Sequence, residues 1–162
     1  TLEIPTGQRR LERIFRLIRE CRYSFHDLCR VELESRRPRT PRFNMPFELG
    51  LAVACVKMQR RRENWYVFEA VRGRLNKSLS DLDGSDPHIH RTRPRELLRA
   101  LTNALVRVRR QPTVRELEAV YRDLRRAVPT LKHELRAKTL FAARPFRELV
   151  TAATRSAEQR IR

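Results

Sequence analysis

Two short aromatic segments flank a helix that is apolar almost all round, and this succession constrains the fold more than any other feature. Residues 23–28 (YSFHDL) and 65–68 (WYVF) have the composition of β-strands. Between them, residues 45–58 are predicted to form a helix in which positions 49–56 carry no charged side chain, as in a helix buried against a sheet. Strand, buried helix and strand in succession are typical of a parallel sheet with helices on its faces. The sequence therefore predicts an α/β fold.

The predicted elements divide the chain in two. An amphipathic helix over residues 8–21 precedes the first strand, and further strands are expected at residues 88–90 and near residues 2–4. Beyond the strand at 88–90, apolar residues recur at helical spacing only. We therefore expect an α/β core over residues 1–91 and a helical extension over residues 92–162 that packs on or beside it.

Two predicted helices begin with residues that commonly cap helix N-termini. Asn44 precedes the helix at 45–58, which carries Pro46 in its first turn. Thr113 precedes an apolar stripe that starts at Val114. We expect both side chains to accept a hydrogen bond from a backbone N–H group of the first turn.

The chain is strongly basic. Lys and Arg total 37 against 19 Asp and Glu, which gives a formal net charge of +18. This charge predicts non-specific binding to polyanions and leaves an arginine-rich nucleic-acid-binding protein open as an alternative function. Only four of the basic residues are lysines, however, and the arginines are spread from Arg9 to Arg162 rather than gathered in one tract. Charge alone therefore does not identify a partner.

The number of cysteines and the length of the apolar runs indicate in which cellular compartment the protein is expected. Cys21, Cys29 and Cys55 are an odd number without paired spacing, which suits a reducing compartment better than a disulfide scaffold. The longest apolar run, residues 49–56, is too short to cross a bilayer, and no charged-then-apolar leader opens the sequence. We expect a cytoplasmic protein with no membrane segment.

The segment 43–52 (FNMPFELGLA) carries the residues of greatest chemical interest. Glu48 lies near the start of the buried helix, which places it at the carboxyl edge of a parallel sheet, where open α/β folds bind ligands. The helix dipole favours an ionised carboxylate there, and Gly50 lacks a side chain, which lets a ligand or backbone approach closely. The alternative interpretation is structural: Glu48 favours the helix start and Gly50 packs on the sheet.

These residues also resemble a known pattern. Asp27-Leu28 at a strand end, followed by Asn44-x-x-x-Glu48-Leu49-Gly50-x-Ala52, is similar to the pattern of nucleoside 2-deoxyribosyltransferase-like and TIR-like proteins. The resemblance covers roughly residues 8–70 and implies a Rossmann-like or flavodoxin-like parallel sheet. The strand and helix with which such proteins begin have no counterpart here, so the expected sheet is incomplete at its N-terminal side. An incomplete sheet leaves a strand edge open, and we therefore expect a homo-oligomer.

The resemblance implies a reaction and roles for individual residues. It implies cleavage of an N-glycosidic bond of a nucleoside or of NAD, with NAD as a substrate and no cofactor. Glu48 would be the reactive carboxylate, and Asp27 would hold a ribose hydroxyl or tune Glu48. The substrate-binding residues would be Asn44, Phe47, Gly50 and Arg42, with Arg42 in contact with a phosphate of the ligand. A non-catalytic nucleotide-sensing module on the same fold remains an alternative.

Histidines give weaker signals. His26 alternates with Asp27 along the first strand, so the two face opposite ways, and a packed histidine is expected. His88 and His90 would share one strand face with Asp86 nearby, but no second cluster completes a set of ligands. No metal site is predicted.

Overall fold

The computed structural model describes residues 10–30, 35, 37, 39–59, 65–82, 86–106 and 111–161. The described chain forms two compact units, one up to Ala104 and the other from Leu105 onward. The strand expected near residues 2–4 lies outside the described residues.

The first unit contains a three-stranded parallel sheet. Its elements are α1 (Arg10–Glu20), β1 (Ser24–Asp27), α2 (Asn44–Met58), β2 (Trp65–Glu69), α3 (Arg74–Ser78), a 3-10 turn (Ser80–Leu82), β3 (His88–Ile89) and α4 (Pro94–Ala104). The strands lie in the order β1-β2-β3, and both neighbouring pairs are parallel. The predicted α/β fold is confirmed at this level.

The strand register brings the carboxyl ends of the strands to one edge of the sheet. Asp27 lies opposite Phe68, and Phe68 lies opposite His88. The ladder continues one residue further, because the His90 N–H donates to the Glu69 carbonyl at 3.0 Å. Asp27, Glu69 and His90 therefore lie at the same edge, although 63 positions separate the first from the last.

The sheet has an apolar core on each face. Leu28, Leu49, Val67 and Leu75 form one core, to which α2 and α3 contribute. On the other face Phe68 packs against Ala100 and Ala104 of α4. The buried side of α2 consists of Leu49, Ala52, Cys55 and Val56, which explains its long apolar run.

The start of α2 differs from the prediction. Phe43 occupies the N-cap position, no side chain caps the helix, and Asn44 is its first residue. The expectation that Asn44 caps the helix is therefore wrong. Because Asn44 lies inside the helix, its side chain is one turn before that of Glu48 on the same side of α2.

The second unit is a pair of helices, α5 (Val114–Glu134) and α6 (Ala143–Arg160). The predicted cap at Thr113 is confirmed: its hydroxyl accepts the Glu116 N–H at 3.2 Å, and the Glu116 carboxylate accepts the Thr113 N–H at 2.7 Å. Between the helices, Asp123 accepts hydrogen bonds from Ser156 at 2.8 Å and from Arg160. The two units divide after residue 104, whereas the sequence predicted a boundary at residue 91. Helix α4 belongs to the sheet unit because its residues form the core on one face of the sheet.

Candidate active site at the carboxyl edge of the sheet

A cleft of about 290 Å³ opens between the end of β1 and the start of α2. Its lining residues are Asp27, Cys29, Arg30, Arg42, Asn44, Met45 and Glu48. The cleft lies at the carboxyl edge of the sheet, which is where ligands bind in open parallel α/β folds. Carboxylates, an amide and guanidinium groups therefore surround one small space.

Glu48 enters the cleft from the first turns of α2. It is half-buried, and Asn44 precedes it by four residues on the same side of the helix. Glu48 is the fifth residue of α2 and follows the first turn, whose unpaired backbone N–H groups favour negative charge close to them. This position suits a carboxylate that meets a developing positive charge on a ligand.

Asp27 is held at the end of β1 by two hydrogen bonds to the same oxygen. Its Oδ1 accepts the backbone N–H of Cys29 at 3.0 Å and lies 3.3 Å from Nε2 of His90. The Asp27 side chain is 45% exposed, whereas that of His90 is 5% exposed. The Asp27 carboxylate thus contacts the buried imidazole of His90 on one side and lines the cleft on its exposed side.

The backbone after β3 determines which nitrogen of His90 carries the proton. The Thr92 N–H donates to Nδ1 of His90 at 3.1 Å, so Nδ1 is the acceptor. In a neutral ring the proton is then on Nε2, which donates to Asp27. The turn is strained, because Arg91 and Thr92 have φ values of 52° and 57°, in the left-handed region that non-glycine residues avoid.

Cys29 lies beside this pair but is not arranged as a nucleophile. Burial, with a smaller contribution from a hydrogen bond to Asp27, raises the pKa of its thiol to about 11. His90 directs its Nε2–H to Asp27 rather than accepting a proton from the thiol. The thiol is therefore protonated at neutral pH, and the three side chains do not form a Cys–His–Asp triad.

Asp27, Cys29 and His90 are the one group in the described part of the chain whose possible ligand atoms lie close enough together to hold a metal ion. Their donor atoms lie within 4.8 Å of one another. A metal needs the imidazole lone pair, but the nitrogen that faces this group carries the proton because Nδ1 accepts the Thr92 N–H. As hydrogen-bonded here, the three residues do not fit a metal ion.

Behind the cleft, a buried ion pair joins the ends of β1 and β2. The Glu69 side chain is 1% exposed and pairs with Arg74, whose Nε lies 2.9 Å from Oε2. Arg74 also donates to the carbonyl of Cys29 at 3.1 Å. This contact ties the loop that follows β1, and with it one wall of the cleft, to the end of β2.

The structure separates the predicted site residues into two groups. Asp27, Arg42, Asn44 and Glu48 line the cleft together. Phe47 is 53% exposed and is not among the lining residues. Gly50 is also exposed and is not among the lining residues, and no atom of the described residues comes within 4 Å of a Cβ built there, so no close approach of described backbone is found at this position.

Sequence reasoning did not place Cys29, Arg30, Met45 or His90 at this site. The available signal was topological: His90 ends a predicted parallel strand, and parallel strands end at one edge of the sheet. His26 agrees with its prediction, since it is buried and contacts Ser24 at 3.1 Å. His88 packs against the rings of Tyr66 and Phe68 instead of joining His90.

Comparison of the chain with protein-family models, curated proteins and solved structures finds no match. Among the described residues, every helix is too short or too polar to cross a membrane.

Proposed function

We propose that the cleft binds a nucleoside or nucleotide and that Glu48 acts in cleaving its N-glycosidic bond, on a Rossmann-like or flavodoxin-like sheet. One observation carries this proposal: Asp27, Arg42, Asn44 and Glu48, predicted as site residues from the sequence pattern, line one cleft at the carboxyl edge of the sheet. The two carboxylates come from different elements, β1 and α2, so no local sequence preference brings them together.

The chemistry assigned to Glu48 follows from charge. When the N-glycosidic bond breaks, its electron pair leaves with the base, and positive charge develops on the sugar. An anionic Glu48 at the rim of the sheet stabilises that charge, and water then adds to the sugar carbon and loses a proton to the departed base or to solvent, which completes hydrolysis. Asp27 accepts a hydroxyl of the pentose and Asn44 supplies an amide donor and acceptor, which together orient the sugar.

The size and charge of the cleft favour a small ligand. A volume of about 290 Å³ lies just below the usual range for small-molecule pockets, about 300–1,000 Å³. We expect a nucleoside or mononucleotide to fill it and a dinucleotide such as NAD to extend into solvent. Arg30 and Arg42 at the same cleft favour a phosphorylated ligand, since guanidinium groups bind phosphate oxygens.

Release of free base tests the proposal. The purified protein is incubated with NAD and with a panel of nucleosides and nucleotides, and free base is followed by chromatography. Glu48→Gln retains size and hydrogen bonding but removes the negative charge, so turnover should fall at least about a hundredfold. Glu96→Gln is the control, because Glu96 also lies near the start of a helix, α4, but pairs with Arg99 and is not among the residues that line the cleft.

The outcomes separate the candidate functions. Turnover that is equal in the wild type and in Glu48→Gln contradicts the role of Glu48. Stabilisation of the wild type by a nucleotide without release of base favours a nucleotide-sensing module on the same cleft. Base-specific binding of nucleic acid that persists at moderate salt favours the arginine-rich nucleic-acid-binding alternative.

A further inference from the structure

His90 contacts the candidate site from behind, although it does not line the cleft. It is 4% exposed, and its Nε2 lies 3.3 Å from Oδ1 of Asp27. The same Oδ1 accepts the Cys29 N–H, and the Cys29 thiol is a further hydrogen-bonding neighbour of this carboxylate. The second oxygen, Oδ2, belongs to a side chain that is 45% exposed at the cleft.

The contact of Nδ1 with the Thr92 N–H fixes the direction of the hydrogen bond between His90 and Asp27. The strained turn at Arg91 and Thr92 places the Thr92 N–H on Nδ1 of His90, which leaves the proton on Nε2. The turn is closed by the Arg93 N–H, which donates to the His90 carbonyl at 3.0 Å. Strained backbone of this kind persists where the surrounding structure holds it and is concentrated at functional sites.

We infer that His90 is the positioning residue for Asp27: it engages Oδ1 so that Oδ2 accepts a hydroxyl of a bound pentose. This inference rests on the proposed function, since it names the group of the ligand that Asp27 binds. The ligand class is then a nucleoside or nucleotide with its sugar hydroxyls present. A charged acceptor held in one orientation discriminates against a sugar that lacks the hydroxyl by about tenfold or more.

Binding of matched ligand pairs tests this role. Calorimetry measures the affinity of the Glu48→Gln protein, which avoids turnover, for adenosine and uridine and for their 2′,3′-dideoxy counterparts. We expect a preference of about tenfold or more for the hydroxylated nucleosides. His90→Leu should abolish this preference while the affinity for the dideoxy compounds changes less than about twofold, because His90 does not line the cleft and, besides its contact with Asp27, loses only the Thr92 N–H, which lies outside the cleft.

Two further variants separate positioning from folding. His90→Gln supplies an amide N–H close to the place of Nε2 and should restore part of the preference. His88→Leu removes the other histidine of this segment, which packs on Tyr66 and Phe68, and should leave the preference unchanged. A structural role for His90 alone would lower both affinities together.

The protonation of His90 gives a readout that needs no ligand. Nitrogen NMR of the wild-type protein at neutral pH should show a protonated Nε2 and an unprotonated Nδ1 for His90. A protonated Nδ1, or a His90→Leu protein that keeps the full hydroxyl preference, overturns this inference alone. A wild-type protein that binds no nucleoside contradicts the proposed function and this inference with it.

Discussion

Arg74 of α3 and Glu69 at the end of β2 form an ion pair beneath the candidate site. The Nε of Arg74 lies 2.9 Å from Oε2 of Glu69, and its Nη2 contacts Oε1. The backbone N–H of Ala70 also donates to Oε1 at 2.7 Å, so the buried carboxylate is hydrogen-bonded on both oxygens. Because Arg74 reaches the Cys29 carbonyl as well, the pair couples the end of β2 to the wall of the cleft.

Removal of Glu69 should destabilise the sheet unit. Glu69→Ala leaves the Arg74 guanidinium partly buried without its carboxylate, which typically costs about 3–5 kcal/mol when one partner of a buried pair is lost. Urea unfolding followed by fluorescence of Trp65, the one tryptophan of the chain, measures the free energy of unfolding of this unit. The matched control is Glu96→Ala, at a more exposed ion pair, for which we expect a loss below about 1 kcal/mol. Equal losses of unfolding free energy in Glu69→Ala and Glu96→Ala would contradict the stabilising role of the Glu69–Arg74 pair.

Acid should weaken the sheet unit through His26. Burial lowers the pKa of His26 to about 4, whereas its ordinary value is 6.5. Between these pH values His26 binds a proton in the unfolded chain but not in the folded protein. The contribution of neutral, buried His26 to the free energy of unfolding is therefore complete above pH 6.5 and is lost as the pH falls toward 4. Burial shifts the pKa of His88 in the same direction.

Unfolding measured at a series of pH values checks this prediction. In His26→Phe the free energy of unfolding should fall less steeply between pH 6.5 and 4, by up to about 1.4 kcal/mol per pH unit for one proton. His133→Phe, which changes an exposed histidine in the last turn of α5, should keep the wild-type slope. A His26→Phe protein with the wild-type slope would show that His26 is not the group responsible.

The edge of β1 should promote self-association. Among the described strands β1 pairs only with β2, so no described strand covers its other edge. Phe25 on this strand is 42% exposed although it stacks on Tyr66. We expect a second copy to pair with this edge, and Phe25→Lys should weaken the association because a charged side chain at an edge opposes pairing.

Sedimentation velocity over a range of concentrations measures this association. Phe141→Lys is the control, since Phe141 is 88% exposed and lies outside the sheet unit. A wild-type chain that stays monomeric at all concentrations, or one that responds equally to both substitutions, would contradict pairing through β1.

Local patterns predicted the elements of the sheet unit, whereas the side-chain contacts between those elements could not be predicted. The apolar run of α2 and the aromatic strands gave the α/β fold, and Glu48 at the helix start gave one wall of the cleft. The pairing of Glu69 with Arg74 and of Asp27 with His90 depends on loop paths and strand register, on which single residue types carry no signal.

Helical geometry explains why Phe47 and Gly50 are not among the residues that line the cleft. Successive residues turn by about 100° around a helix, so Asn44 and Glu48, four apart, share one side. Phe47 is rotated by about 100° from Glu48 and Gly50 by about 200°, which carries both away from the cleft. A sequence motif treated as a contiguous string overlooks this rotation.

The most direct test of the central claim is to locate the ligand-binding site in solution. Adenosine, uridine, their 5′-monophosphates and NAD are titrated separately into ¹⁵N-labelled protein, and the amide resonances are followed by NMR. We predict that for at least one of these ligands the resonances of Cys29, Asn44 and Glu48 shift in a saturable manner, and that Glu48→Gln retains this response. Saturable shifts confined to α5 and α6, or no saturable shift with any of the ligands, would contradict a nucleoside-binding cleft at the carboxyl edge of the sheet.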